Sequence, residues 1–156
     1  MIREGATMVQ TRSQRIVVIG GGTAGITVAA RLRRQGAQRV QVIEPSPVHY
    51  YQPLWTLVGG GQVDARSTVR PTAKVMPRGV DWIQEAVTAV EPELDTVVTT
   101  SGRRIGYDVL VVAPGIQLDF DAVPGLVEGM AGDGIASNYR FDLAPKMWDL
   151  IRNAGP

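Results

Sequence analysis

The residues best suited to chemistry lie in "GGGTAG", where Gly20-x-Gly22-x-x-Gly25 is followed 19 residues later by a carboxylate, Glu44. The chemistry is recognition of a pyrophosphate. Gly20 permits a tight turn, Gly22 leaves the backbone open to a phosphate, and Gly25 lets a following helix pack close to a sheet. Backbone N–H groups at Gly22, Thr23 and Ala24, at the positive end of that helix, would hold the anion. Glu44 can accept hydrogen bonds from ribose hydroxyls, and its charge repels a 2′-phosphate. NAD and FAD both remain at this point.

Other candidates are sparse. His49 is the single histidine. The sequence shows no acid–base partner for it, so a packing or hydrogen-bonding role is expected. There is no cysteine among the 156 residues. A disulfide, a thiolate zinc site and a cysteine nucleophile are therefore excluded within them. No catalytic residue and no metal ligand is assigned. The formal net charge is +1, with 14 Arg and two Lys spread along the chain. That balance gives no electrostatic footprint for nucleic acid. No apolar run approaches the ~18 residues of a transmembrane helix.

These residues need elements to hold them. "RIVVIG" is a short β-branched apolar run ending in glycine, as a strand buried on both faces reads. "TAGITVAARLRRQG" has Ala24, Val28 and Leu32 at helical spacing and Gly36 as a stop. "RVQVIEPS" is a second strand closing at Glu44-Pro45. Residues 15 to 44 thus form one β-α-β unit. "HYYQPLWTLVGGG" (His49 to Gly61) fits neither period and is expected to be an irregular aromatic loop at the carboxyl edge of the sheet. Gln62 to Arg78 is less regular, with a short helix near "PTAKVMP". "VDWIQEAVTAV", "TVVTT" and "YDVLVVA" read as consecutive strands. The last breaks at Ala113-Pro114-Gly115, where a glycine lets the chain pass close to a ligand. After Gly115 the chain reads as loop until a helix in "LAPKMWDLIRN". Trp82 and Trp148 are expected in core or interface. Residues 1 to 14 read as a loose leader, and 15 to 156 as one dinucleotide-binding domain. The closing "NAGP" completes nothing, and a cut inside a larger protein is the expectation.

With these residues in place, the sequence resembles the N-terminal part of sulfide:quinone oxidoreductases, flavoproteins with two dinucleotide domains. The resemblance runs from about Arg15 to Trp148. It rests on "VVIGGGTAGITVAARL", "VIEPSPVHYYQPLWTLVGGG", "RPTAKVMPRGVDWI", "YDVLVVAPGIQLD" and "SNY". "HYYQPLWTLVGGG" is the most specific of these and looks most like the branch with the mitochondrial enzymes. The resemblance implies an α/β fold: a Rossmann-like, three-layer FAD-binding domain with an antiparallel β-meander crossover, incomplete. It implies FAD with its pyrophosphate at Gly20–Gly25 and its ribose on Glu44. Gln52 would contact the cofactor, Val87 would meet the adenine through its backbone, and Gly115 would pass nearby. The complete enzyme would oxidise sulfide, pass electrons through FAD and deliver them to a membrane quinone. Sulfide, quinone, a membrane surface reached through a C-terminal part and further copies of the chain are the expected partners. The expected location is the cytoplasm or the periphery of the inner (cytoplasmic) membrane. Two alternatives stand beside this. One is another flavoprotein reductase, of the NADH:quinone or ferredoxin type. The other is a non-catalytic dinucleotide-binding module.

Overall fold

The computed structural model describes residues 13–132 and 134–154. The leader expected over residues 1 to 14 lies almost wholly outside them. The chain divides into two compact units, Met1–His49 with Pro71–Gly115, and Tyr50–Arg70 with Ile116–Pro156.

The first unit is built on four parallel strands. They are β1 (Arg15–Ile19), β2 (Arg39–Ile43), β5 (Val80–Ile83) and β9 (Val109–Val112), in the order β5-β2-β1-β9. β1 is central because it is apolar on both faces: Ile16, Val17 and Val18 are all buried. Alternate residues of one strand point to opposite faces. Ile16 and Val18 therefore join Val40, Val42 and Ala37 beneath helix α1 (Thr23–Arg34), which contributes Ala29 and Leu32. Val17 and Ile43 face the other way. They pack with Val97 and Ile105 of a three-stranded antiparallel meander and with Tyr107 just beyond it. The meander strands are β6 (Val87–Glu91), β7 (Thr96–Thr99) and β8 (Arg104–Gly106). Helix, parallel sheet and meander are the three layers expected for a Rossmann-like α/β fold.

The meander sits between β5 and β9 in the chain, so it is the crossover. "VDWIQEAVTAV" is not one alternating strand. Val80–Ile83 pairs with β2 in the parallel sheet, while Val87–Glu91 opens the meander. The division follows burial: Ile83 is buried and Gln84 is exposed. α1 ends as anticipated, with Gly36 in the left-handed region at φ 94° and Arg31, Arg33 and Arg34 in its last turn.

In the second unit, α2 (Trp55–Gly59) packs with α5 (Ala144–Asn153). Trp55, Val58 and Ala144 form its core, joined by Val63, Ala65 and Phe141. Tyr50, Trp55 and Phe141 make mutual ring contacts, with centroids 4.9 to 6.0 Å apart. "HYYQPLWTLVGGG" is therefore not an irregular loop. It is the end of β3 (Val48–Tyr50), a 3₁₀ turn at Gln52–Leu54 and helix α2. Pro53 starts a helical turn here, a position where its missing N–H costs nothing. Among the short elements that escaped the periodicity are β4 (Val69–Pro71), β8 and α4 (Leu126–Ala131). The helix near "PTAKVMP" is α3 (Thr72–Val75). Trp148 is not core; it is 36% exposed and lies against Gly61.

Candidate dinucleotide-binding site

The site begins where β1 runs into α1. Gly20 and Gly21 are buried, whereas Gly22, Thr23 and Ala24 are exposed. Each glycine answers a different demand. A Cβ on Gly20 would stand 2.1 Å from the Ala113 carbonyl oxygen, and one on Gly25 would stand 1.9 Å from the Gly20 oxygen. Both are excluded by the protein's own backbone. A Cβ on Gly22 would meet nothing within 4 Å. The protein leaves that space open, and φ of −71° there suits any residue.

α1 has 12 residues, no side-chain cap on its first turn and no acid within it. Its leading N–H groups thus emerge uncapped beside the open space over Gly22, which is the arrangement that takes an anion. The donor set and the open cradle fit a pyrophosphate.

Glu44 directly follows β2, beside this loop. Its Oε2 accepts from the Gly21 N–H at 2.7 Å and its Oε1 from the Ser46 N–H at 2.8 Å. A Cβ on Gly21 would come within 2.7 Å of the Glu44 Cβ and Cγ. Gly21 is the functional residue that sequence reasoning passed over. The signal was present as the extra glycine in an unspecified position of the fingerprint. Main-chain bonds hold the surrounding strand ends: Gly20 N–H to Ile43 O at 2.9 Å, Glu44 N–H to Ile83 O at 3.0 Å, and Ala113 N–H to Ile19 O at 2.8 Å. The Trp82 indole donates to Glu44 O at 2.9 Å.

The structure gathers most of the expected residues. Gly20, Gly22, Thr23, Ala24, Gly25 and Glu44 surround the carboxyl ends of β1 and β2. Gly115 follows β9, the neighbour of β1, and its φ of 78° makes it a turn glycine with nothing packed on it. The close approach in that segment comes two residues earlier, at Ala113. Val87 opens β6 and packs on the Val17–Ile43 cluster. Gln52 belongs to the second unit. There it lines a cavity of about 300 Å³ with Ile116, Leu118, Phe120, Tyr139 and Arg140. His49, which the sequence left without a partner, has its Nδ1 3.2 Å from the Gly21 oxygen.

The charged pairs stand apart from this loop. Arg15 and Asp108 join the starts of β1 and β9 at 2.7 Å. Hydrogen bonds from the Arg15 side chain and main chain hold the Asp108 carboxyl below the usual carboxylate range. Glu85 is held low in the same direction by the Thr99 and Ser101 hydroxyls. No group of three or more His, Cys, Asp or Glu among the described residues is placed to hold a metal. No helix among them is long and apolar enough to cross a membrane.

Comparison with known proteins agrees with this geometry. The family described as Pyridine nucleotide-disulphide oxidoreductase matches residues 14–147. The mitochondrial sulfide:quinone oxidoreductase of Mus musculus is 41% identical over 152 residues, covering 97% of this chain and 34% of that protein. Its counterpart in Dictyostelium discoideum is 39% identical over 144 residues, covering 91% and 32%. Among solved structures, the sulfide:quinone oxidoreductase of Aquifex aeolicus superposes with a TM-score of 0.71 at 27% identity, over 90% of this chain and 33% of that one. The chain spans about a third of the length of these relatives. With its β-α-β cradle and meander crossover, the chain belongs to the pyridine nucleotide-disulphide oxidoreductase family, as a sulfide:quinone oxidoreductase-like flavoprotein sequence.

Proposed function

We propose that the chain is the FAD-binding part of an oxidoreductase that takes electrons from sulfide and passes them through FAD to a quinone. The observation that carries the cofactor half is the open space over Gly22 beside an uncapped helix start, with Glu44 at the end of the next strand. The likeness to the sulfide:quinone oxidoreductases supports the choice of substrates. Bound FAD would supply the two-electron carrier between donor and quinone. The chain's own part is to hold it: N–H groups of Gly22, Thr23 and Ala24 on the pyrophosphate, and Glu44 on the adenosine ribose. Val87 would meet the adenine through its backbone, Gly115 would pass near the dinucleotide, and Gln52 would contact the cofactor. These 156 residues contain no cysteine, so they provide no thiol for sulfide chemistry. Sulfide oxidation, quinone reduction and attachment to a membrane surface are proposed for the complete protein, with the chain alone inactive.

Titration of the purified chain with FAD, followed by quenching of flavin fluorescence, tests the cofactor. Saturable binding is expected, and a colourless product that never quenches overturns the reading. For the complete protein, sulfide should drive reduction of a soluble quinone. Turnover with NADH and none with sulfide would instead establish the NADH:quinone reductase alternative, whose FAD cradle would be built in the same way.

A further inference from the structure

The glycine loop is gripped from two sides at one residue. Gly21 gives its N–H to Glu44 Oε2 at 2.7 Å, and its carbonyl oxygen lies 3.2 Å from His49 Nδ1. A carbonyl oxygen only accepts, so Nδ1 is the donor and carries a proton. We propose that His49 is a positioning residue of the cofactor site: its Nδ1–H fixes the Gly21–Gly22 peptide so that the Gly22 N–H faces the phosphates. The proposal rests on the FAD-binding reading and extends it to a residue that reading left out.

The Gly21 carbonyl and the Gly22 N–H belong to the same planar trans peptide, and they point in opposite directions. Holding the oxygen towards His49 therefore turns the Gly22 N–H away from it. Gly22 is the exposed residue with open space around it, while Gly21 is buried. Glycines on both sides of this peptide make it easy to rotate. A rotated peptide would present an oxygen to an anion. Glu44 restrains the preceding peptide through the Gly21 N–H, and nothing but His49 is bonded to the Gly21 oxygen among the described contacts. Donation to the oxygen also polarises the peptide and strengthens its N–H as a donor.

His49 is itself held in place. It lies in β3, whose start is fixed by Ser46 Oγ, which donates to Val48 O at 2.7 Å and accepts from the Val48 N–H at 3.2 Å. The Thr72 N–H donates to Pro47 O at 2.8 Å. The ring is half-buried.

The chain has one histidine, so ¹⁵N labelling of histidine in an untagged preparation gives the spectrum of this ring alone. When the ring is neutral, the expected signature is a proton on Nδ1 and a pyridine-type Nε2. A proton on Nε2, or the averaged signals of a free ring, overturns the proposal without touching the cofactor reading. FAD titration supplies the second arm. His49→Ala should weaken binding about three- to tenfold, the worth of one hydrogen bond. His49→Asn, whose amide N–H can stand in for Nδ1–H, should bind within twofold of the wild type. Equal FAD affinity in wild type and His49→Ala also overturns the proposal. A wild-type chain that binds no FAD overturns the functional reading instead, and the ring signature then decides the hydrogen bond alone.

Discussion

At the scale of the residue, glycines in one short loop separate into those the protein needs for itself and one that it does not. Gly22→Val should leave the unfolding midpoint in urea within experimental scatter, because its side chain enters open space. The same change should weaken FAD binding at least tenfold by occupying the place of the phosphate. Gly25→Ala should do the reverse first. Its methyl meets the Gly20 oxygen, and overpacking of this kind costs about 1–3 kcal/mol, readable from the same urea curves. The sequence made the pattern of glycines and the distance to Glu44 legible, because both are matters of spacing along one chain. It left His49 without a partner and Gly21 without a reason. Their partners are set by where the β2–β3 connection turns back, a tertiary fact that no local period encodes.

At the scale of the element, strands with two buried faces were legible and strands shared between sheets were not. "RIVVI" declares itself by continuous apolar content, and "RVQVI" by its β-branched Val40, Val42 and Ile43. "VDWIQEAVTAV" does not declare that its halves serve different sheets, since each half satisfies the same alternation. Its division matters for stability. Ile43, 1% exposed, joins the parallel sheet to the meander. Ile43→Ala should cost about 2–5 kcal/mol in equilibrium unfolding, the usual range for deleting a buried Ile side chain. The strand starts are joined by Arg15 and Asp108, and the sign of their pH dependence follows. The folded state holds Asp108 below its ordinary value, so the pair stabilises the fold above the unfolded carboxyl's pKa of about 3.9. That contribution disappears as the pH falls through the folded value. Asp108→Asn should therefore lower the melting temperature slightly at pH 7, and the difference from wild type should close as the pH is taken below about 4.

At the scale of the whole molecule, the two outer strands of the parallel sheet differ in how they face their surroundings. β5 carries Asp81 on its exposed side. β9 reads Val-Leu-Val-Val without a charge, and Val112 is 63% exposed. An uncharged apolar edge offers a template for another strand, and a charge blunts it. In this 156-residue chain, Val112→Lys should reduce any concentration-dependent association seen in sedimentation velocity while leaving the unfolding midpoint unchanged. Association that is equal in both proteins would assign it to another surface.

The contact between Gly20 and Ala113 also sets an order in time. β1, α1 and β2 are neighbours in the chain and can pair once residue 44 has left the ribosome. The other wall of the glycine turn arrives with Ala113, roughly 70 residues later. At the usual ribosomal rate of about 5–20 residues per second, that is an interval of about 4–14 s. During it, the nascent β1 has one flank unpaired and its Val17 face without the meander. The cradle cannot be completed before that interval ends. A codon change that slows translation between Glu44 and Ala113 prolongs the exposure of this β-α-β unit on the ribosome, without altering any residue of the finished protein.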